Sequence, residues 1–97
     1  MTEAQFDQQH DLSPAAARSF VATAGVRKRD AVFEVGAGLG ELTAAILHTG
    51  ANVHAVERDH ARIKKLRERF ETQIKEGQLT VHAADARFFT PILPEGW

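Results

Sequence analysis

Three groups of residues have types and spacing that suit the binding of a nucleoside. The first is a glycine-rich run in which Gly36, Gly38 and Gly40 alternate with Ala37 and Leu39. Glycines let the backbone turn sharply and let a ligand approach closely. The start of the helix that follows offers free N–H groups to an anionic or carboxylate group. The run therefore predicts a ligand-binding turn, with a plain strand-to-helix turn as the alternative.

The other two groups are acidic residues further along the chain. Glu57 lies 21 residues beyond Gly36, where a carboxylate can accept hydrogen bonds from both hydroxyls of a ribose. Asp85, in the run Ala84-Asp85-Ala86, can accept from an exocyclic amine such as that of adenine. A solvated glutamate at a strand end and a turn-capping aspartate are the alternatives. Together the three features predict a pocket for an adenosine.

The spacing of the glycines argues against a dinucleotide. It is G-x-G-x-G, whereas the dinucleotide-binding turn has G-x-G-x-x-G. Glu41 stands where the third glycine of that fingerprint would be, and its negative charge is unfavourable beside a pyrophosphate. A half-domain of an NAD-dependent oxidoreductase is therefore kept as an alternative and not as the leading interpretation.

Helices and strands must position these residues. A helix is predicted from Pro14 to Ala24, with Ser13 as its N-cap and Gly25 as its stop. Its inner face is predicted to carry three apolar residues, Phe20, Val21 and Ala24.

Short apolar runs predict buried strands at residues 31–35, 52–56 and 79–83. Helices are predicted between them, at about 41–49 and from an N-cap at Asp59 to a stop at Gly77. Strands that alternate with helices imply a parallel sheet with right-handed crossovers. The fold class is therefore α/β, one helix followed by β-α-β-α-β. Residues 1–97 are expected to form one partial domain, with 1–12 as an N-terminal segment and 13–97 as the folded part.

The strand at residues 31–35 is expected to have an unpaired edge. In doubly wound folds the ligand lies at the carboxyl ends of the strands, beside the strand at which the order reverses. The strand at 31–35 takes that place, and no fourth strand is predicted to pair with it. Open edges recruit other strands, so we expect self-association or a partner chain at this edge.

The ordered set of motifs resembles the ribosomal RNA adenine N6-dimethyltransferases, including the Erm-type macrolide-resistance enzymes. Residues 34–43 match the family pattern E-[IV]-G-x-G-x-G-x-L-T, and residues 57–59 match E-x-D. Asp85 matches the acid of the third motif, with Ala84 in place of glycine. Residues 9–12 match three of the four positions of Q-[NH]-F-L, and Asp11 replaces the phenylalanine. The resemblance extends from about residue 9 to residue 97.

This resemblance implies a Rossmann-like methyltransferase fold that is truncated before its fourth strand, S-adenosylmethionine as cofactor, and methylation of adenine N6 in ribosomal RNA. Glu34 would orient the amino-acid end of the cofactor, Glu57 would hold the ribose, and Asp85 would accept from the adenine amine. The full set of cofactor-binding residues that it implies is Gln9, His10, Leu12, Glu34, Gly36, Gly38, Gly40, Glu57, Arg58, Asp85 and Ala86.

The resemblance also implies a catalytic motif of the N-L-P-Y type, which in the family follows the fourth strand. Such a motif holds the extruded base, and the 97 residues do not include it. We therefore assign no catalytic residue and expect this chain to supply the cofactor-binding half. A non-catalytic fragment that binds S-adenosylmethionine or a nucleotide and needs a partner chain is the alternative. A housekeeping role and a role in antibiotic resistance both stay open.

Composition excludes several classes of site. There is no cysteine, which excludes disulfides and cysteine-based metal sites. The formal net charge of −1 gives no bulk reason for binding nucleic acid or a membrane surface. The five histidines are scattered without the spacing of a metal site, so no metal is expected. No apolar run could span a bilayer and no signal peptide is visible, so a cytoplasmic location is expected.

Overall fold

The computed structural model describes the backbone of residues 3–7, and residues 12–37 and 40–88 with their side chains. The strands and helices alternate along the chain. In order they are β1 (Glu3–Asp7), α1 (Pro14–Ala24), β2 (Ala31–Val35), α2 (Glu41–His48), β3 (Asn52–Glu57), α3 (His60–Arg69), α4 (Glu71–Lys75) and β4 (Leu79–Ala83), followed by a 3-10 turn at Ala86–Phe88.

Local capping sets the limits of α1, and both predicted ends are confirmed. The Ser13 hydroxyl accepts a hydrogen bond from the Ala16 N–H at 3.1 Å, and Gly25 ends the helix in the left-handed region with φ 72°. The predicted inner face is partly wrong. Val21 is buried, but its companion is Ala17, one turn earlier, while Phe20 is 51% exposed. The buried stripe is therefore narrower than the apolar residues suggest.

The sheet has four parallel strands in the order β1-β2-β3-β4. The three predicted strands are confirmed, with β3 extended by one residue to Glu57. The expectation of an unpaired edge on residues 31–35 is wrong. β1 pairs with β2 in parallel along its whole length, with Glu3 opposite Ala31 and Asp7 opposite Val35. Residues 1–12 therefore contain a strand where a polar segment was expected.

The core lies on one face of the sheet. Since the strand order follows the chain and parallel crossovers are right-handed, successive helices pack on the same face. Val32 of β2, Val53 of β3 and Leu79 of β4 are buried there. They pack with Phe70, which lies between α3 and α4, and with buried residues of the helices, namely Ala17, Val21, Leu42, Ala45, Ile46, Leu47 and Leu66.

The long helix predicted from Asp59 is two helices. α3 ends at Arg69, and Phe70 leaves helical geometry with φ −112° and ψ 32° before α4 begins. The N-cap at Asp59 is confirmed, because its carboxylate accepts from the Arg62 N–H at 3.0 Å. Ile63 and Leu66 are buried as the spacing predicts, and the ring of Phe70 fills the core at the break.

No helix in the part of the chain that the structure describes is long and apolar enough to cross a membrane.

Candidate functional site

A cleft of about 430 Å³ opens at the carboxyl edge of the sheet. This edge is where open α/β sheets bind their ligands. The structure brings five of the sequence-predicted site residues together in this cleft. They are Gly36, Glu57, Arg58, Asp85 and Ala86, and Val35, Val56, Arg62, Ala84 and Arg87 complete the lining.

Backbone hydrogen bonds hold the carboxyl ends of β2, β3 and β4 level with one another. Gly36 turns the chain out of β2 with φ 66°, and its N–H donates to the Val56 carbonyl at 2.8 Å. The Ala84 N–H donates to the Glu57 carbonyl at 3.1 Å. Both bonds continue the parallel ladder past the last strand residue. Gly36, Glu57 and Asp85 therefore lie side by side along one wall of the cleft.

Glu57 is buried, with 5% of its surface exposed. Its Oε2 accepts hydrogen bonds from the N–H groups of Arg58, at 2.9 Å, and Asp59, at 3.0 Å. These bonds fix the carboxylate at the turn from β3 into α3. A carboxylate held in this way can accept from a pair of vicinal hydroxyls without reorganising.

Asp85 is engaged by two arginines. Arg87 donates from Nη2 to Oδ2 at 2.6 Å and from Nε to both carboxylate oxygens at 3.1 and 3.2 Å. Arg58 approaches the same Oδ2 at 3.4 Å. The hydrogen bonds from Arg87 are the main reason that the pKa of Asp85 lies far below its usual range. The carboxylate is therefore ionised at neutral pH, and an incoming amine competes with a guanidinium for it.

Gly40 lies outside the lining of this cleft and has a packing reason to be glycine. It precedes α2 with φ 92°, a conformation that is costly for residues with a Cβ. A Cβ at this position would lie 2.9 Å from Cε2 of Phe70 and 3.2 Å from Cδ2 of Leu66. The third glycine of the run thus lets α3 pack against the start of α2, and its predicted contact with a cofactor stays a prediction.

Glu34 is fully buried at the base of the glycine-rich turn. It does not line the cleft itself, but the next two residues, Val35 and Gly36, do. Thr43, also fully buried, donates its hydroxyl proton to Glu34 Oε1 at 2.5 Å. Oε2 is buried with no hydrogen-bond partner among the described residues. Burial raises the pKa of Glu34 to about 7, because a low-polarity interior disfavours the charged form. Both forms of the carboxyl group are therefore populated near neutral pH.

The remaining predicted site residues are not placed in the cleft. Gln9, His10 and Gly38 lie outside the residues that the structure describes. Leu12 is partly buried and packs against the core. Contact between any of these four residues and a cofactor stays a prediction.

Sequence reasoning missed two arginines of the cleft. Arg87 and Arg62 line it together with the predicted Arg58. A signal for Arg87 was present, because a cation two residues after an aspartate at a strand end can reach back to its carboxylate.

Sequence reasoning also missed a histidine pair on the sheet. Nδ1 of His54 and Nε2 of His82 lie 2.9 Å apart, and the rings stack in a row with Phe33 at centroid distances of 5.0 and 5.2 Å. No spacing along the chain could reveal a pair that meets only through strand register. Among the described residues, no three histidine or acidic side chains form a group able to hold a metal ion.

Comparison with known proteins gives consistent matches. The model of the ribosomal RNA adenine dimethylase family matches residues 2–92. Ribosomal RNA small subunit methyltransferase A of Bifidobacterium longum subsp. infantis is 42% identical over 93 residues, covering 90% of this chain and 29% of that protein. A probable ribosomal RNA small subunit methyltransferase A of Methanospirillum hungatei is 46% identical over 55 residues, covering 57% of this chain and 22% of that protein.

A similar structure is the crystal structure of P. horikoshii TYW2 in complex with MeSAdo. It superposes with a TM-score of 0.64 and 31% sequence identity, over 84% of this chain and 32% of that one. The chain spans about 29% of the length of the Bifidobacterium relative. The fold is thus the Rossmann-like fold of S-adenosylmethionine-dependent methyltransferases, and the chain belongs to the ribosomal RNA adenine dimethylase family.

Proposed function

We propose that this chain forms the S-adenosylmethionine-binding half of an enzyme that methylates adenine N6 in ribosomal RNA. The observation that carries the proposal is the cleft at the carboxyl edge of the sheet, where Gly36, Glu57 and Asp85 form one wall. Glycine there allows close approach of a ligand. The two carboxylates offer acceptors for ribose hydroxyls and for an exocyclic amine.

The residues present also suit the amino-acid end of the cofactor. Glu34 leaves one carboxyl oxygen buried and without a hydrogen-bond partner among the described residues. A buried polar atom left unsatisfied costs free energy that a ligand donor can recover. S-adenosylmethionine carries an ammonium group and supplies the methyl group that is transferred. We propose that Glu34 serves the ammonium end, while Arg58 and Ala86 border the adenine.

Ribosomal RNA is proposed as the substrate because the relatives of this chain carry that substrate in their names. Methyl transfer depends on holding the sulfonium and the target nitrogen in line. We propose that the groups that hold the target adenine lie outside these 97 residues, in agreement with the small share of its relatives that the chain spans. Binding of the cofactor and transfer of its methyl group are then separable properties.

Calorimetric titration tests the binding step. We expect saturable binding of S-adenosylmethionine and S-adenosylhomocysteine and none of NAD. Glu57→Gln, which keeps the volume of the side chain but removes its charge, should weaken binding of both adenosyl ligands at least tenfold. Equal binding of NAD, or affinity unchanged in Glu57→Gln, would refute the proposed cofactor site.

Methyl transfer is tested separately with labelled S-adenosylmethionine and small-subunit ribosomal RNA. We expect no incorporation of label with this chain alone and incorporation with the full-length relative from Bifidobacterium as the positive control. Label transferred by this chain alone would show that the 97 residues hold a complete active site.

Two expectations from the sequence, self-association and a cytoplasmic location, lie outside this proposal. Self-association through the strand at residues 31–35 is not proposed, because β1 occupies that edge. The cytoplasmic location stays a prediction.

A further inference from the structure

One buried hydrogen bond closes the base of the glycine-rich turn. Glu34 is in β2 and Thr43 is in the first turn of α2, so the turn at 36–40 lies between them in the chain. The Thr43 hydroxyl donates to Oε1 of Glu34 at 2.5 Å, and neither residue is exposed. Thr43 thereby fixes one carboxyl oxygen and leaves Oε2, which has no hydrogen-bond partner among the described residues.

The charges around Glu34 do not favour its ionised form. From β3, the carboxylate of Glu57 acts on it unfavourably. From α2, Glu41 is the nearest charged residue along the chain to Thr43, and Glu41 is paired with Arg69 at 2.9 Å. β1 places Phe6 in register with Glu34. Within residues 12–37 and 40–88, no cation forms an ion pair with Glu34.

A cation brought to this place by a ligand would reverse that balance. Burial and Glu57 raise the pKa of Glu34 to about 7, so the free protein contains both the protonated and the ionised form of this carboxyl group at neutral pH. A positive charge within a few ångströms favours the carboxylate. The proton on the carboxyl oxygen then leaves for the buffer, and no other bond changes.

We propose that Thr43 is a positioning residue that holds Glu34 ready for the cationic end of an adenosyl amino acid, and that binding of this ligand releases a proton from Glu34. The inference rests on the proposed function, since it takes the cleft as the adenosyl site. It adds a role for Thr43 and a linkage between ligand binding and protonation.

Titration calorimetry in two buffers with different heats of ionisation measures the protons released. With S-adenosylhomocysteine at pH 7 we expect the wild-type chain to release about half a proton per ligand bound. The dissociation constant should be about tenfold larger at pH 6 than at pH 8, because the ligand selects the ionised carboxylate. 5′-Methylthioadenosine has the same nucleoside without the ammonium group and should bind without this release.

Three variants assign the proton to its residue. Glu34→Gln should bind S-adenosylhomocysteine more weakly and abolish both the release and the pH dependence. Thr43→Val keeps the shape of the side chain but removes the hydroxyl. Because the hydrogen bond from this hydroxyl lowers the pKa of Glu34, the variant should have a higher pKa at Glu34 and release its proton at higher pH. Thr43→Ser should restore the wild-type profile, a result that a purely space-filling role for Thr43 would not give.

The outcomes separate this inference from the proposed function. Binding with no proton released, the same release with 5′-methylthioadenosine, or a release that persists in Glu34→Gln would overturn the inference and leave the adenosyl site intact. No binding of either ligand by the wild-type chain would refute the proposed function and this inference with it. If Glu34→Gln fails to fold, Thr43→Val and Thr43→Ser decide the matter, because unchanged profiles in both would also overturn the inference.

Discussion

Arg87 holds the carboxylate of Asp85 from two residues away, with Nη2 at 2.6 Å from Oδ2. The same carboxylate also accepts from the backbone N–H of Arg87, at 3.0 Å. The acid proposed to receive the adenine amine is therefore already occupied by a guanidinium. Since the Arg87 side chain is 71% exposed, water screens this ion pair and a ligand can displace it.

The competition predicts that Arg87→Ala binds S-adenosylhomocysteine a few-fold more tightly than the wild-type chain, because the amine no longer has to displace a guanidinium. Calorimetric titration measures the change, with Asp85→Asn, which should weaken binding, as the reference. The gain should shrink at high salt, which already weakens the wild-type ion pair. If Arg87→Ala weakens binding as much as Asp85→Asn does, Arg87 supports the site and does not compete for it.

Gly40→Ala is predicted to destabilise the fold strongly. The left-handed backbone costs roughly 1–2 kcal/mol for a residue with a Cβ, and the added methyl group would meet the Phe70 ring at 2.9 Å. Gly25→Ala is the matched control, because Gly25 has φ 72° but open space around it. Urea denaturation should therefore show a larger loss of unfolding free energy for Gly40→Ala. Equal losses would mean that the Phe70 ring moves aside at no cost.

Deletion of residues 1–7 is predicted to make the chain associate. β1 pairs with β2 from Glu3 to Asp7, so the deletion leaves β2 as an edge strand without a partner. Exposed strand edges recruit other strands. Sedimentation velocity over a range of concentrations should show association in the deletion variant beyond that of the full chain. Identical sedimentation of the two chains would contradict the pairing of β1 with β2.

The raised pKa of Glu34 predicts that the fold loses stability as pH rises. The folded state holds the pKa of Glu34 at about 7 against an ordinary value of 4.5. Between these values the folded state binds more protons than the unfolded state, so the contribution of Glu34 falls as pH rises, by about 3 kcal/mol over the whole range. Glu34→Gln should remove this fall in urea denaturation at pH 5, 6, 7 and 8. A pH profile unchanged by Glu34→Gln would contradict it.

The histidine pair predicts the opposite trend. Burial lowers the pKa values of His54 and His82 below 6.5 in the folded state. Below pH 6.5 the unfolded state therefore takes up more protons, and stability falls as pH drops. His54→Phe, which extends the stack begun by Phe33, should lessen this loss between pH 6.5 and pH 5. A loss as steep as in the wild-type chain would show that the pair does not carry the effect.

The elements that depend on neighbours in the chain were predictable. Ser13 and Pro14 begin α1 and Gly25 ends it, because capping bonds join residues three or four apart. Short apolar runs predicted β2 and β4 at their observed limits. The sequence also predicted that three site residues share the carboxyl edge of the sheet, namely Gly36 at the strand-to-helix turn and Glu57 and Asp85 at later strand ends. All three line the cleft.

Other features come from contacts between residues far apart in the chain. Glu3–Asp7 has no strong strand pattern and becomes a strand because the edge of β2 offers it a hydrogen-bonding partner. The helix predicted from Asp59 breaks at Phe70, and the ring of Phe70 is buried in the core.

The sequence by itself determined the order of the elements, the family and the carboxylates at the sheet edge, because local hydrogen bonds and apolar periodicity act over a few residues. Only the tertiary structure decided three contacts: the hydrogen bond from Thr43 to Glu34, the contact between His54 and His82, and the ion pair between Arg87 and Asp85. The charge state of a carboxyl or imidazole group depends on burial and on its partners in space. Neither of these can be known before the strands are in register.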